Sequence, residues 1–382
     1  MRKVCIVTGT RAEWGLLSPV AAALRDRDDI TLQIVATNMH LSEKFGHTVD
    51  EITEAGFMVD AEVVMIDDTA DDSALSTVRA MSRCQAGIAD AFVRLQPDMV
   101  VILGDRYEML AVASAATLFR IPIVHLHGGE TTEGAIDNAI RNAITALASL
   151  HLTSTEAYRQ RTIAMGENPE LVINTGAIGV ANAMNVAPMT RGELQESLSY
   201  YLPAGTLLVT YHPATLDSLP VADQCAQLLA ALDRFPDNRL LITYPNSDPG
   251  SDEIIRQIRD YERRNPDRVR VVHSLGMRRY MSALQFVAAV VGNSSSGIIE
   301  VPSAGIPTVD IGPRQRGRIA AESVIHCRCE ADDITRAIAE ALARGRRSDI
   351  VNPYYQPDTI ERIVNAIATT PLEAFTKCTL AK

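Results

Sequence analysis

The chain has 382 residues, 47% hydrophobic and 22% charged, which excludes a mainly disordered chain and leaves room for two or three domains with cores of their own. With 36 Lys and Arg against 47 Asp and Glu, the formal charge of −11 argues against a general nucleic-acid binder, yet a small basic pocket for a nucleotide or nucleotide-sugar remains compatible with it. No run of about 18 apolar residues reads as a membrane span; the opening Met1-Arg2-Lys3-Val4-Cys5-Ile6-Val7 reads as a strand, not a signal peptide, because Thr8-Gly9-Thr10-Arg11 interrupts it, and six scattered cysteines without a C-x-x-C pair point to a reduced, cytoplasmic protein.

Short β-rich runs at 4–8, 32–36, 99–103, 122–126 and 171–174 alternate with stretches of helical spacing such as 16–25 and 109–119. Strands alternating with helices imply β-α-β units and a parallel sheet, and near-continuous apolar runs fit strands buried on both faces. The pattern restarts at 206–211, 239–244, 269–273, 288–291 and 308–311. The weakly patterned stretch between the two series places a domain boundary near 180–200. A last helix is expected at 359–368, followed by a polar tail. Ligands of doubly wound sheets bind at the carboxyl ends of the strands, so two such domains imply a cleft between them and informative residues just after strands.

Seven motifs fall there. Gly9-Thr10-Arg11-Ala12-Glu13 offers a tight turn, a helix start and a guanidinium for an anion, or is simply a capped turn. In Gly104-Asp105-Arg106-Tyr107-Glu108, Asp105 can orient a substrate or move a proton, or can cap the helix. His125-Leu126-His127-Gly128-Gly129-Glu130, with Glu133, Asp137 and Arg141 following, gathers titratable groups after one strand. It suits proton transfer better than metal binding, since neither H-E-x-x-H nor a C-x-x-C partner is present. Asp137 and Arg141 stand i,i+4 on a helix and can form an ion pair.

In the second series, Tyr211-His212-Pro213 sets a histidine at a strand end, and Tyr244-Pro245-Asn246-Ser247-Asp248 sets Asn246 and Asp248 as hydrogen-bond partners or an Asx turn. Gly292-Asn293-Ser294-Ser295-Ser296-Gly297-Ile298-Ile299-Glu300 reads as a phosphate cradle at a helix start, with Glu300 about one turn inside the helix and able to accept from ribose hydroxyls. Gly312-Pro313-Arg314-Gln315-Arg316-Gly317-Arg318 is a cationic loop suited to an anionic ligand.

This ordered set, spanning residues 4 to about 320, resembles the hydrolysing UDP-N-acetylglucosamine 2-epimerases of sialic- and legionaminic-acid-type biosynthesis. The resemblance implies an α/β, GT-B-like fold of two Rossmann-like doubly wound parallel-sheet domains with an interdomain cleft. Its domains would be 1–183 on the sugar side, 184–358 on the UDP side, and a C-terminal segment 359–382 returning to the first. It implies a cytoplasmic homodimer or homotetramer that needs no metal or other cofactor and whose partner is a UDP-linked N-acetyl amino sugar. The expected reaction is elimination of UDP to a 2-acetamidoglucal, then hydration to N-acetylmannosamine. Arg11, Arg106, His212, Asn246, Ser294, Ser295 and Glu300 match positions that hold UDP. Asp105, Glu130 and Asp137 match or adjoin the acid and base positions, and Arg314 and Arg318 the loop near the sugar. Glu13, Arg141, Asp248, Ser296 and Gly297 complete the expected substrate-binding set.

The chain departs from the family pattern at three places. His127 stands where many relatives have Glu, which leaves His127, Glu130 and Asp137 open as the group that takes the C2 proton. Arg141-Asn142-Ala143-Ile144-Thr145-Ala146 lacks the His and Lys of R-H-A-I-T-K, and Asn38 replaces a common Gly. Such changes suit a modified sugar, so the UDP-2,4-diacetamido-2,4,6-trideoxyglucose enzyme is the nearest alternative. A non-hydrolysing 2-epimerase, a GT-B glycosyltransferase and a silent nucleotide-sugar binder are the others.

Overall fold

The apolar runs read from the sequence become two sheets in which every pairing is parallel. The first is built from β1 (Arg2–Thr8), β2 (Ile30–Thr37), β3 (Ala61–Val63), β4 (Met99–Leu103), β5 (Ile123–Leu126), β6 (Leu150–Thr153) and β7 (Val172–Asn174), in the order β3-β2-β1-β4-β5-β6-β7. The second contains β8 (Leu207–Thr210), β9 (Leu240–Thr243), β10 (Val269–Val272), β11 (Ala289–Gly292), β12 (Thr308–Ile311) and β13 (Val324–Cys327), in the order β10-β9-β8-β11-β12-β13. This computed structural model describes residues 1–375 apart from 72, 134, 135, 215 and 247. Cys378, the polar tail and Ser247 of the 244–248 motif lie outside the described residues.

Burial on both faces explains why these strands read as unbroken apolar runs. In β1 the side chains alternate between two cores. Val4 and Ile6 join Trp14, Leu17 and Leu24 on one face, while Cys5 and Val7 join Ile88, Phe92 and Val112 on the other. Sequence reading missed β3, β6 and β13. β3 is only three residues long. β6 follows the helix Asp137–Leu147 after two residues, Ala148 and Ser149, with neither Gly nor Pro to mark the break. β13 mixes His326 and Cys327 into its run.

The chain divides into two compact units. The first contains Met1–Glu130, Asp137–Asn182 and the C-terminal segment from Tyr354, and the second Thr131–Ile136 and Ala183–Pro353. In the first unit the helix Thr359–Thr369 packs through Ile363 and Ile367 into the core that the helix Arg11–Arg25 also faces. Pro19, inside that latter helix, cannot donate to the carbonyl of Gly15. Buried Asn182 supplies the missing donor, its Nδ2 lying 3.1 Å from both Gly15 O and Leu16 O.

Strand order reverses between β1 and β4 in the first unit and between β8 and β11 in the second. Open α/β sheets form their ligand crevices at such points, beyond the carboxyl ends of the strands. Gly9-Thr10-Arg11 and Gly104-Asp105-Arg106 follow β1 and β4; Tyr211-His212 and Asn293-Ser294 follow β8 and β11.

Candidate active site

In the first unit, buried charge collects at the reversal. Arg11 opens its helix and forms an ion pair with Glu51. Thr10 and Glu13 make a capping box: Thr10 Oγ1 accepts from the N–H of Glu13 at 3.2 Å, and Glu13 Oε2 accepts from the N–H groups of Gly9 (2.7 Å) and Thr10 (3.2 Å). Burial first, and then the charge of Glu108, push the Glu13 carboxyl up to about 8. Glu108 is fully buried and accepts from Arg106 Nε at 2.8 Å. The start of the helix Tyr107–Leu118 has no side-chain cap, and Asp105 instead pairs with Arg141, which is 1% exposed. Asp105 is therefore not the helix cap allowed by its sequence. Arg141 turns to it from the helix Asp137–Leu147 and also donates from Nη1 to the carbonyl of Glu130 at 3.0 Å. Asp137, half-buried, begins the same helix.

The two histidines of the H-x-H stretch differ. His125 is wholly buried, and that burial depresses its pKa to about 3, so it is neutral. Its Nε2 lies 2.7 Å from Gly104 O and its Nδ1 3.3 Å from Thr145 Oγ1, which ties β5 to the turn after β4. It is a core histidine. His127 adopts a left-handed backbone, φ 64°, and its Nε2 accepts from the N–H of Ile178 at 3.4 Å. Its Nδ1 faces Glu130 Oε1 at 3.4 Å, and Ser154 Oγ donates to that same oxygen at 2.6 Å. Between them Gly129, φ 76°, passes so close to the helix Glu156–Ala164 that a Cβ would lie 2.2 Å from Thr162 Oγ1. Only glycine fits there.

In the second unit the reversal is lined mainly by neutral hydrogen-bonding groups. Asn293 Oδ1 accepts from the N–H of His212 at 2.7 Å and its Nδ2 donates to His212 O at 2.8 Å, locking the ends of β8 and β11 together. The N–H of Asn246 donates to His212 Nδ1 at 3.1 Å, which places the proton of the neutral imidazole on Nε2. Gly292, before Asn293, lies so close to β8 that a Cβ would sit 1.9 Å from Thr210 O. Ser294 and Ser296 are linked at 3.2 Å, and the Tyr280 hydroxyl reaches Ser296 Oγ at 2.6 Å. Ser295 stands at the cap position of the helix Ser296–Ile299.

That helix has four residues, and this changes the reading of the motif. Glu300 ends the helix and is not a turn inside it, because Pro302 turns the chain into the tighter segment Val301–Ala304. So short a helix has little macrodipole, and anion binding falls to its hydroxyls and N–H groups. Gly297 packs against Thr308, and Glu300 is buried near Tyr280. Arg314 Nη1 (3.2 Å) and Gln315 Nε2 (2.8 Å) donate to Asn293 O, so the cationic loop braces the serine turn. Arg318 faces a cavity of about 770 Å³ with Asp217, Asp310, Arg316 and His326. Asp248 is buried before the helix Ser251–Arg264, accepting through its carbonyl from the N–H of Ser251.

The structure thus joins Asp105 to Arg141, and His127 to Glu130, within the first unit; it joins His212, Asn246, Asn293, Ser294, Ser296 and Arg314 within the second. Glu13 is committed to its helix cap, a role its T-x-x-E spacing already announces. Sequence reasoning missed Ser154, Glu51, Tyr280 and Gln315 as site partners; Tyr280 projects from the helix Gly276–Leu284 and has no local signal. Among the described residues no group of three His, Cys, Asp or Glu is placed to hold a metal ion, and no helix is long and apolar enough to cross a membrane.

Residues 22–368 match the family model for UDP-N-acetylglucosamine 2-epimerase. The GDP/UDP-N,N'-diacetylbacillosamine 2-epimerase (hydrolyzing) of Campylobacter jejuni is 38% identical over 336 residues, 88% of this chain and 86% of that protein. The polysialic acid biosynthesis protein P7 of Escherichia coli is 35% identical, over 96% of this chain and 94% of that one. The solved UDP-GlcNAc 2-epimerase of Neisseria meningitidis, bound to UDP-GlcNAc, superimposes with a TM-score of 0.76 at 17% identity, covering 96% of this chain and 100% of that one. That likeness shows the fold, a GT-B-like pair of parallel-sheet units. Family model, sequence relatives and strand order agree: the chain belongs to the hydrolysing UDP-N-acetylglucosamine 2-epimerase family.

Proposed function

We propose that the chain is a hydrolysing 2-epimerase that converts UDP-N-acetylglucosamine to N-acetylmannosamine and UDP, with Glu130 as the base. The observation that carries this reading is the setting of Glu130. Its carboxylate is 1% exposed, follows a β-strand, and takes hydrogen bonds on one oxygen from Ser154 and the His127 side. His127 is the weaker candidate, because its Nε2 already accepts from Ile178 and its remaining nitrogen faces Glu130.

In the first stage Glu130 takes the C2 proton, the C–H electrons become the C1=C2 bond, and the C1–O bond to the diphosphate breaks. The leaving UDP carries the negative charge that develops, and Arg11, Arg106 and Arg314 with the hydroxyls and N–H groups of Ser294, Ser295 and Ser296 stabilise it. In the second stage water adds its oxygen to C1 of the glucal and a proton is delivered to C2 on the opposite face. Asp105, oriented by Arg141, and Asp137 serve that stage. His212 and Asn246 bind the diphosphate side, Asp248 shapes their turn, and Glu300 accepts from the ribose hydroxyls. No step calls for a metal or redox cofactor.

The second reading changes the sugar and keeps the chemistry. Asn38 is 1% exposed, holds φ 51°, and neither polar atom of its side chain has a hydrogen-bond partner. An unpartnered buried amide costs about 1–3 kcal/mol, so a sugar with a second amide, as in the name of the C. jejuni relative, would give Asn38 a partner. The test is to supply UDP-N-acetylglucosamine and UDP-2,4-diacetamido-2,4,6-trideoxyglucose separately and follow release by phosphorus NMR. Free UDP with a 2-epimerised sugar from the first supports the primary reading. Turnover of the second alone supports the alternative, and a UDP-linked 2-epimer overturns the hydrolysing assignment.

A further inference from the structure

We infer that Ser154 is a positioning residue for Glu130: its hydroxyl holds that carboxylate ionised and oriented for proton abstraction. The inference deepens the function proposed above and rests on Glu130 being the base.

Ser154 immediately follows β6, a strand away from the loop that bears Glu130, and its side chain is fully buried. Its Oγ donates to Glu130 Oε1 at 2.6 Å, a length typical of a hydroxyl bonded to a carboxylate. His127 Nδ1 approaches the same oxygen at 3.4 Å. Because His127 Nε2 accepts from Ile178, the neutral ring carries its proton on Nδ1 and faces Glu130 as a donor. The backbone beneath is pinned as well: Arg141 and Arg161 each place an Nη1 3.0 Å from Glu130 O. The carboxylate is thus fixed from β6, from the loop after β5, and from the helices Asp137–Leu147 and Glu156–Ala164.

A carboxylate buried to this degree favours its neutral form unless donors stabilise the charge. Ser154 is such a donor, and it comes from a rigid strand end, so it fixes direction as well as charge. The titratable and charged groups around Glu130 are His127 on its own loop, neutral His125 on β5, and Arg141 and Arg161 on the two helices; β6 also carries His151, which pairs with Glu167 after the second helix. Ser154→Ala removes a donor to this carboxylate without changing a charge.

The experiment compares wild type with Ser154→Ala and Glu130→Gln over a pH series on the substrate that turns over, with thermal unfolding as a check on folding. For Ser154→Ala the expected result is a kcat about tenfold lower, KM within about twofold, and the acid limb of kcat/KM moved up by about one pH unit, the effect of losing one hydrogen bond to a charged group. In a Glu130→Gln background, Ser154→Ala should cause no further loss. A Ser154→Ala enzyme with wild-type kcat and an unmoved acid limb, alongside an inactive Glu130→Gln, overturns the role of Ser154 alone. A Glu130→Gln enzyme that keeps wild-type activity overturns the assignment of the base itself.

Discussion

The two strand-order reversals sit at equivalent places in two similar sheets, yet they are furnished differently. Around β1, β4 and the neighbouring β5 the first unit buries Glu13, Arg106, Glu108, Glu130 and Arg141. Around β8 and β11 the second unit uses an amide, two linked serines and a tyrosine hydroxyl, with the cations held on a loop. Buried charge is expensive unless paired, and it allows proton affinities to be set by the surroundings. Neutral donors bind an anion without needing to titrate. The contrast teaches that one α/β framework can carry buried, paired charge at one reversal and neutral hydrogen-bonding groups at the other.

The sharpest way to break that contrast is to remove Arg141. Arg141→Ala would leave Asp105 without its buried partner and the Glu130 carbonyl held by Arg161 alone, with a loss of about 3–5 kcal/mol in urea unfolding and of nearly all turnover. A variant with wild-type stability would show that the pair is not structural. In the second unit Asn293→Ala should unlatch His212 and raise the Kd for UDP by roughly tenfold to a hundredfold, the scale of one or two hydrogen bonds lost beside a buried group, read by calorimetric titration. Retention of C2 proton exchange in that variant at saturating substrate would sharpen the division of labour. Tyr280→Phe removes only the hydroxyl on Ser296 and should weaken UDP by no more than about tenfold, with kcat unchanged.

The smallest effect concerns pH. Glu13 has a folded-state pKa raised from 4.5 to about 8, so the folded protein holds this proton more tightly than the unfolded chain does. Its contribution is therefore fully present below pH 4.5 and is lost as pH rises through about 8. Thermal melts between pH 5 and 9 should show wild type losing stability relative to Glu13→Gln, which can keep the cap but cannot ionise. Parallel curves would contradict this account of Glu13.

Much of this was legible in the residues, for identifiable reasons. Strands buried on both faces leave continuous apolar runs, so β1, β4, β8 and β11, the four strands that flank the reversals, could be read directly. The motifs that follow them were legible because strand ends are punctuated by Gly and polar residues. What escaped depends on tertiary neighbours. Ser154 follows β6, which an Ala- and Leu-rich helix end conceals, and the partner that gives it meaning lies 24 positions earlier. The helical spacing of Arg141 from Asp137 is visible in the sequence, but its ion pair with Asp105 on another element has no local signal. The length of the helix after the serine run depends on Pro302, five residues past Gly297, and composition alone did not reveal that it ends at Ile299.

The central claim is that Glu130 takes the C2 proton of a UDP-linked sugar as UDP is eliminated, before water adds to the glucal. The direct measurement is proton NMR of the reaction in deuterated water, for wild type and for Glu130→Gln. Wild type is predicted to yield free UDP and a 2-epimer fully deuterated at C2, and Glu130→Gln to yield neither while binding UDP as wild type does. A deuterated 2-epimer formed by Glu130→Gln at the wild-type rate would contradict the account.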